Sequence, residues 1–121
     1  MRSLSPAWPI GEPWHLPMPD GTLYDALAHA ADHRPHHPAT AFYGALLSYA
    51  ELRHRVDALA GFLQTTCRAK RGDRVLIALQ NSPQYIIAYY AVMRADAVIV
   101  PVNLMNRSPR SLILPPTAVR P

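Results

Sequence analysis

Apolar positions follow no period through the first 21 residues and then fall into regular segments. The opening stretch is punctuated by Pro6, Pro9, Pro13, Pro17 and Pro19, which predicts an extended arm whose Trp8 and Trp14 dock on the domain surface. From Leu23 to His33 the spacing turns helical, with Leu23, Leu27, Ala30 and Ala31 on one face. Thr22 is its N-cap, Asp25 sits three residues on as in a capping box, and Pro35 ends the helix. Two short runs, Thr40–Tyr43 and Leu46–Tyr49, predict a hairpin turning at Gly44-Ala45. Ser48 and Glu51 form a full capping box for the next helix, and Leu47 and Leu52 have the spacing of a hydrophobic staple. Leu52, Val56, Leu59, Ala60 and Leu63 make its apolar stripe, with Arg53, His54 and Asp57 facing away.

The stretch from Gly72 to Arg107 has another character. Two runs, Arg74–Leu79 and Ala97–Val102, hold Val75-Leu76-Ile77 and Val98-Ile99-Val100, which are continuous rather than alternating. Continuous runs suit strands of a parallel sheet covered on both faces. Between them Pro83–Arg94 reads as a helix, with Ser82 as N-cap and Pro83 at the first position, where its missing N–H costs nothing. Strand, helix and strand make a right-handed βαβ unit. The helix is apolar almost all round (Tyr85, Ile86, Ile87, Tyr89, Tyr90, Val92, Met93), which demands cover on more than one side. Its tyrosines read as core packing with hydroxyls at the edge. Ser108–Pro121 has no cap, period or acidic residue and reads as an unstructured tail. The fold class is therefore α/β: a partial βαβ parallel-sheet layer with flanking helices, divided into an arm (1–21), a segment 22–107 and a tail (108–121).

Composition narrows this little. The formal charge is +4, and its local cluster is Arg68, Lys70, Arg71 and Arg74 with Asp73 inside it. No aromatic residue interleaves with that cluster, so it reads as a solvated loop and no nucleic-acid partner is assigned. Cys67 is the single cysteine, which excludes an internal disulfide and suits a reducing, cytoplasmic location. The amino terminus lacks the apolar region of a signal peptide. The most apolar window, Tyr85–Met93, falls short of the roughly 20 residues of a membrane span. His29 and His33 are four apart, with His36 and His37 following. Ala30 stands where a metalloprotease helix has glutamate, so the reading is a solvated histidine face and no metal ligand is assigned.

Catalytic patterns are missing. The five glycines form neither GxGxxG nor GxxxxGK, acidic residues are scattered singly, and no serine sits in a nucleophile elbow. No catalytic or cofactor-binding residue is assigned.

Two motifs nonetheless carry a resemblance. Leu47-Ser48-Tyr49-Ala50-Glu51-Leu52 is similar to the first core motif of the AMP-dependent synthetase and ligase (adenylate-forming) superfamily. Met93-Arg94-Ala95-Asp96-Ala97-Val98-Ile99-Val100-Pro101-Val102-Asn103 is similar to the second, usually Leu-Lys-Ala-Gly-Ala and then an apolar strand ending Pro-x-Asn. Gly72-Asp73-Arg74-Val75 and Asn81-Ser82-Pro83 fit between them, and Trp8 to Pro19 suits the fatty-acyl branch, nearest to bacterial long-chain fatty-acid–CoA ligases. Asp96, where glycine is usual, is the internal departure. Ser108–Pro121 matches nothing expected and reads as a frameshift or premature stop.

The resemblance implies the amino-terminal piece of a large AMP-binding domain. The family reaction takes fatty acid, ATP, Mg²⁺ and coenzyme A. The groups performing it are expected downstream of this chain, so inactivity alone, or pairing with a separate polypeptide carrying the rest, is the expectation. Uncovered apolar surface implies self-association.

Overall fold

The computed structural model describes residues 7–105. Its elements are α1 (Leu23–His33), β1 (Pro38–Phe42), β2 (Ala45–Ser48), α2 (Tyr49–Thr65), β3 (Arg74–Ile77), α3 (Pro83–Arg94) and β4 (Val98–Pro101). The tail falls outside the described residues.

Each helix starts where its capping chemistry says. At α1 the Thr22 hydroxyl accepts the Asp25 N–H, and Asp25 returns a carboxylate oxygen to the Thr22 N–H at 2.7 Å. Ser48 and Glu51 repeat this at α2, with the Ser48 N–H donating to Glu51 Oε2 at 2.9 Å. Satisfying two orphan N–H groups reciprocally fixes both helix starts. Helix α3 relies on Ser82, whose hydroxyl accepts the Tyr85 N–H, and on Pro83 in its first turn.

The hairpin pairs antiparallel, Phe42 opposite Ala45, which leaves Tyr43 and Gly44 as the two-residue turn. Both have positive φ, 48° and 82°. That is the type I′ geometry whose twist matches the flanking strands. The turn is therefore one residue earlier than Gly44-Ala45, because strand twist rather than the glycine alone sets its position. Strands β3 and β4 pair in parallel, Arg74 opposite Val98 and Ile77 opposite Pro101. Both are shorter than their apolar runs, since the chain turns away after Ile77 and Pro101.

The core is built around α2 and α3, the pair with the most extensive mutual packing. Val56 and Ala91 are fully buried between them, joined by Leu52, Ala60, Tyr24, Leu27 and Leu47. On α1 the inward face is Tyr24, Leu27 and Ala31, while Leu23 stays exposed. The tyrosine displaces the leucine because its hydroxyl finds a partner on α2, described below.

The other side of α3 rests on the sheet, where Ile77, Val92 and Ala95 are buried. Cover on both faces of the strands is not found among the described residues: Leu76 and Val98 remain substantially exposed. Tyr85, Ile86, Ile87, Tyr89, Tyr90 and Met93 are likewise only half-buried. The contact described for the arm's tryptophans is with each other, ring centroids 5.0 Å apart, with Trp8 Nε1 donating to the Glu12 carbonyl at 3.1 Å.

Candidate functional site

In an open parallel sheet the chain diverges beyond the carboxyl ends of the strands, and ligands bind in the crevice this leaves. Here Val102 N–H donates to the Ile77 carbonyl at 3.0 Å, the last rung before the two strands separate. Past it lies a cleft of about 620 Å³, walled by Leu79–Asn81 on one side and Pro101–Met105 on the other, with Tyr85 of α3 between. Asn81 and Tyr85 also border an apolar groove of about 440 Å³ reaching Thr40 and Phe42 of the hairpin, with Pro83 and Ile86.

The polar groups at this junction are amides and hydroxyls. Ser82 Oγ donates to the Gln80 carbonyl at 3.0 Å, which holds the loop in place as α3 begins. Asn103 Oδ1 accepts the Met105 N–H at 2.9 Å, turning the chain at the cleft's rim. Thr40 Oγ1 is buried without a hydrogen-bond partner at the groove's edge. Tyr85 is the one ionisable side chain in the cleft wall. Such a lining hydrogen-bonds and packs against a ligand; it supplies no nucleophile and no carboxylate. Mg²⁺ takes carboxylate and phosphate oxygens, so these residues do not fit it, and no step is routed through a metal here.

The second motif runs from the end of α3 into this cleft. Ala97 N–H donates to the Val92 carbonyl and Asp96 N–H to that of Met93, both at 3.0 Å, with Asp96 at φ 64°. This is a Schellman cap, whose left-handed residue is normally glycine. The cap turns the chain into β4, whose end delivers Pro101, Val102 and Asn103 to the cleft. The first motif lies across the core from it as the capped start of α2.

A second polar cluster joins the three helices. Tyr24 of α1 donates its hydroxyl to Asp57 Oδ1 of α2 at 2.5 Å. Arg94 of α3 lies 3.8 Å from the same oxygen, and its guanidinium sits 4.6 Å from the centre of the Tyr24 ring. Arg53 reaches Asp32 at 2.7 Å and Asp57 at 3.9 Å. Burial, and then the bond to Asp57, push the Tyr24 phenol above its usual value. So Arg53 and Asp57, which the helical wheel assigns to solvent, are also structural partners of α1 and α3, although Asp57, like His54, stays exposed.

The histidines of α1 pack together, His29 against His33, with ring centroids 4.0 Å apart and the rings tilted by 32°. No group of three or more His, Cys, Asp or Glu side chains able to hold a metal is present among the described residues. No helix of the described residues is long and apolar enough to cross a membrane. Of the cleft residues, Asn81 and Asn103 lie inside the family motifs without a site role there, and Tyr85, like the other tyrosines of α3, reads from sequence as core packing but instead lines the cleft, half-buried. The available signal was positional: they follow or face the carboxyl ends of two predicted parallel strands.

Residues 27–111 match the family described as AMP-binding enzyme. The long-chain-fatty-acid–CoA ligase of Bacillus subtilis (strain 168) is 37% identical over 97 residues, 79% of this chain and 17% of that protein. Enterobactin synthase component F of Escherichia coli (strain K12) is 36% identical over 86 residues, 71% of this chain and 7% of that protein. Among solved structures, the Klebsiella oxytoca NpsA N-terminal subdomain in complex with 3-hydroxyanthranilyl-AMSN superposes with TM-score 0.67 and 34% identity, covering 73% of this chain and 22% of that one. The fatty acid AMP ligase from Legionella pneumophila gives TM-score 0.60 at 27% identity, covering 66% and 14%. The chain thus spans under a fifth of the length of the long-chain-fatty-acid–CoA ligases it matches. With the two motifs seated at the start of α2 and at the rim of the strand-end cleft, and the match running across the described core, the chain belongs to the AMP-binding, adenylate-forming enzyme family.

Proposed function

We propose that this chain is the amino-terminal portion of an ATP-dependent fatty acyl-CoA synthetase, inactive by itself. In the complete reaction ATP adenylates a fatty-acid carboxylate with release of pyrophosphate, and the thiol of coenzyme A then displaces AMP. The observation that carries this reading is the 37% identity to a long-chain-fatty-acid–CoA ligase across 79% of the chain. The role assigned to the described residues is support. The α3 cap and β4 set the position of Pro101–Asn103, and the cleft presents amides and hydroxyls but no reacting group.

The alternative, a module that pairs with a separate polypeptide carrying the rest of the ligase, is favoured by one feature. Among the described residues the two-stranded parallel sheet has both edges open, and Leu76 and Val98 are exposed. Such edges accept a further strand.

Acid-dependent pyrophosphate release from ATP separates the readings. The purified chain alone is expected to release none above background, and release by it would overturn the supporting role. Mixing it with the downstream part of a related ligase restores ligation if pairing in trans is the function. Absence of binding between the two removes the alternative.

A further inference from the structure

The two edges of the parallel sheet are unequal. Val98 N–H donates to the Asp73 carbonyl at 2.7 Å, and Val102 N–H to that of Ile77 at 3.0 Å. Backbone groups along a strand alternate in direction, so Val98, Val100 and Val102 aim theirs at β3, while Ile99 and Pro101 aim outward. Pro101 has no N–H to offer. Ala97, the outward position before Ile99, already donates to the Val92 carbonyl in the cap of α3. Within β4 the outer edge therefore presents only the Ile99 amide, and a proline so placed closes an edge to further strands. On β3 the same alternation aims Val75 and Ile77 at β4, and Arg74 and Leu76 outward. The amides and carbonyls of Arg74 and Leu76 have no hydrogen-bond partner among the described residues, and both residues are exposed.

We propose that the outer edge of β3 is a strand-addition surface and that its occupant is β3 of a second copy of this chain, antiparallel about a two-fold axis. The edge is complementary to itself. With Arg74 opposite Leu76 of the second copy, and the reverse, each of these residues gives its N–H and receives one at its carbonyl. Charge and chain geometry select this register. Placing Arg74 opposite Arg74 of the second copy sets like charges face to face, which destabilises a sheet. It also calls on Gly72, whose N–H is already given to the Asp96 carbonyl at 2.9 Å. Sliding the other way needs Ala78, which lies past the end of β3. The antiparallel sense sends the basic approach to β3, with Arg68, Lys70 and Arg71, to opposite ends of the joined sheet. Ile77, facing α3, is buried; Arg74 and Leu76 have the opposite parity and lie on the other face, beside Val98 and Val100 in register. There the methylene stem of Arg74 covers Leu76 of the second copy, removing apolar surface that the single chain exposes.

Sedimentation of the full chain over a concentration series tests this, and a monomer–dimer equilibrium is expected. Leu76→Pro removes an outward amide and no rung of the β3–β4 ladder. It should weaken dimerisation roughly tenfold or more, since the dimer loses a hydrogen bond from each copy. Ile99→Pro makes the same change on the outer edge of β4 and should leave dimerisation unchanged. Amide hydrogen exchange of the unaltered chain, read residue by residue by NMR, needs no variant. Arg74 and Leu76 should gain protection as the concentration rises, and Ile99 should not. A chain that stays monomeric, a dimer weakened by Ile99→Pro but not by Leu76→Pro, or an association that leaves the Arg74 and Leu76 amides exchanging freely overturns the proposal. Protection of these amides that arises only on adding the downstream part of a related ligase assigns the edge to that partner and overturns it as well.

Discussion

Single residues explain where this chain departs from the expected pattern and still folds. Asp96 occupies the left-handed position of the Schellman cap at φ 64°, where the family usually has glycine. Aspartate enters this region far more readily than most residues, so the cap survives the exchange. Asp96→Val forces a β-branched side chain into the same backbone and should cost about 1–2 kcal/mol by denaturant unfolding, whereas Asp96→Gly should not destabilise. Tyr24 shows a polar handle deciding which residue faces inward. Tyr24→Phe keeps the ring beneath Arg94 and deletes the bond to Asp57. With Asp57 partly solvated, the expected loss is about 1 kcal/mol. Because the folded phenol is raised above its ordinary value, its contribution is complete below that value and declines as the pH climbs through the folded one. The wild-type chain should therefore lose stability in strong alkali more steeply than Tyr24→Phe. The capping carboxylates behave oppositely. The Thr22 backbone N–H, and then its hydroxyl, hold Asp25 below the usual carboxylate value, and Ser48 does the same for Glu51. Their contribution is present above the ordinary carboxylate value and fades as the pH falls through the lowered ones. Glu51→Gln should accordingly flatten the acid limb of stability against pH.

At the scale of elements, α2 and α3 are the structural axis. Val56 and Ala91 are fully buried in their contact, so this is where volume matters most. Val56→Ala removes two methylene equivalents and leaves a gap, at a cost of about 2 kcal/mol. Ser48→Ala removes the N-cap of the same helix at a cost of about 1 kcal/mol, measured by the same unfolding curve. These sites lie in different parts of α2, so their effects should add. The hairpin is set by its turn. Tyr43 and Gly44 both hold positive φ, and Tyr43 is 95% exposed. Tyr43→Asn supplies the residue a type I′ turn prefers and should raise the melting temperature.

Taken whole, the described residues form a helical layer with an antiparallel hairpin and, attached through α3, a two-stranded parallel sheet. Among the described residues, one face of the parallel sheet and both its edges lack a partner, and Leu76, Leu79, Val98 and Met105 add exposed apolar area near them. Open edges flanked by apolar surface pair with other chains. The purified chain is expected to self-associate, with a sedimentation coefficient that rises with concentration and a melt that is broad or irreversible. A sharp, reversible transition in a monomer at all concentrations would contradict this.

Much of the local architecture is legible in the chain itself. Thr22, Ser48 and Ser82 each declare a helix start, because capping is satisfied within a few residues and needs no distant partner. The parallel pairing of β3 and β4 could be anticipated because a strand, a capped helix and a strand leave one favourable connection. Other features depended on residues brought together from afar. Tyr24 and Asp57 are 33 positions apart, so no helical wheel could give the exposed Asp57 its partner on α1. The cleft wall is built from two segments, Leu79–Asn81 and Pro101–Met105, that meet only once α3 has folded back between them. Local hydrogen bonding and hydrophobic period are written in neighbouring residues, so the sequence alone determined the helices, the caps and the family. Which polar side chains pair, and where a cleft opens, rest on distances between helices and strands that only the packed chain defines.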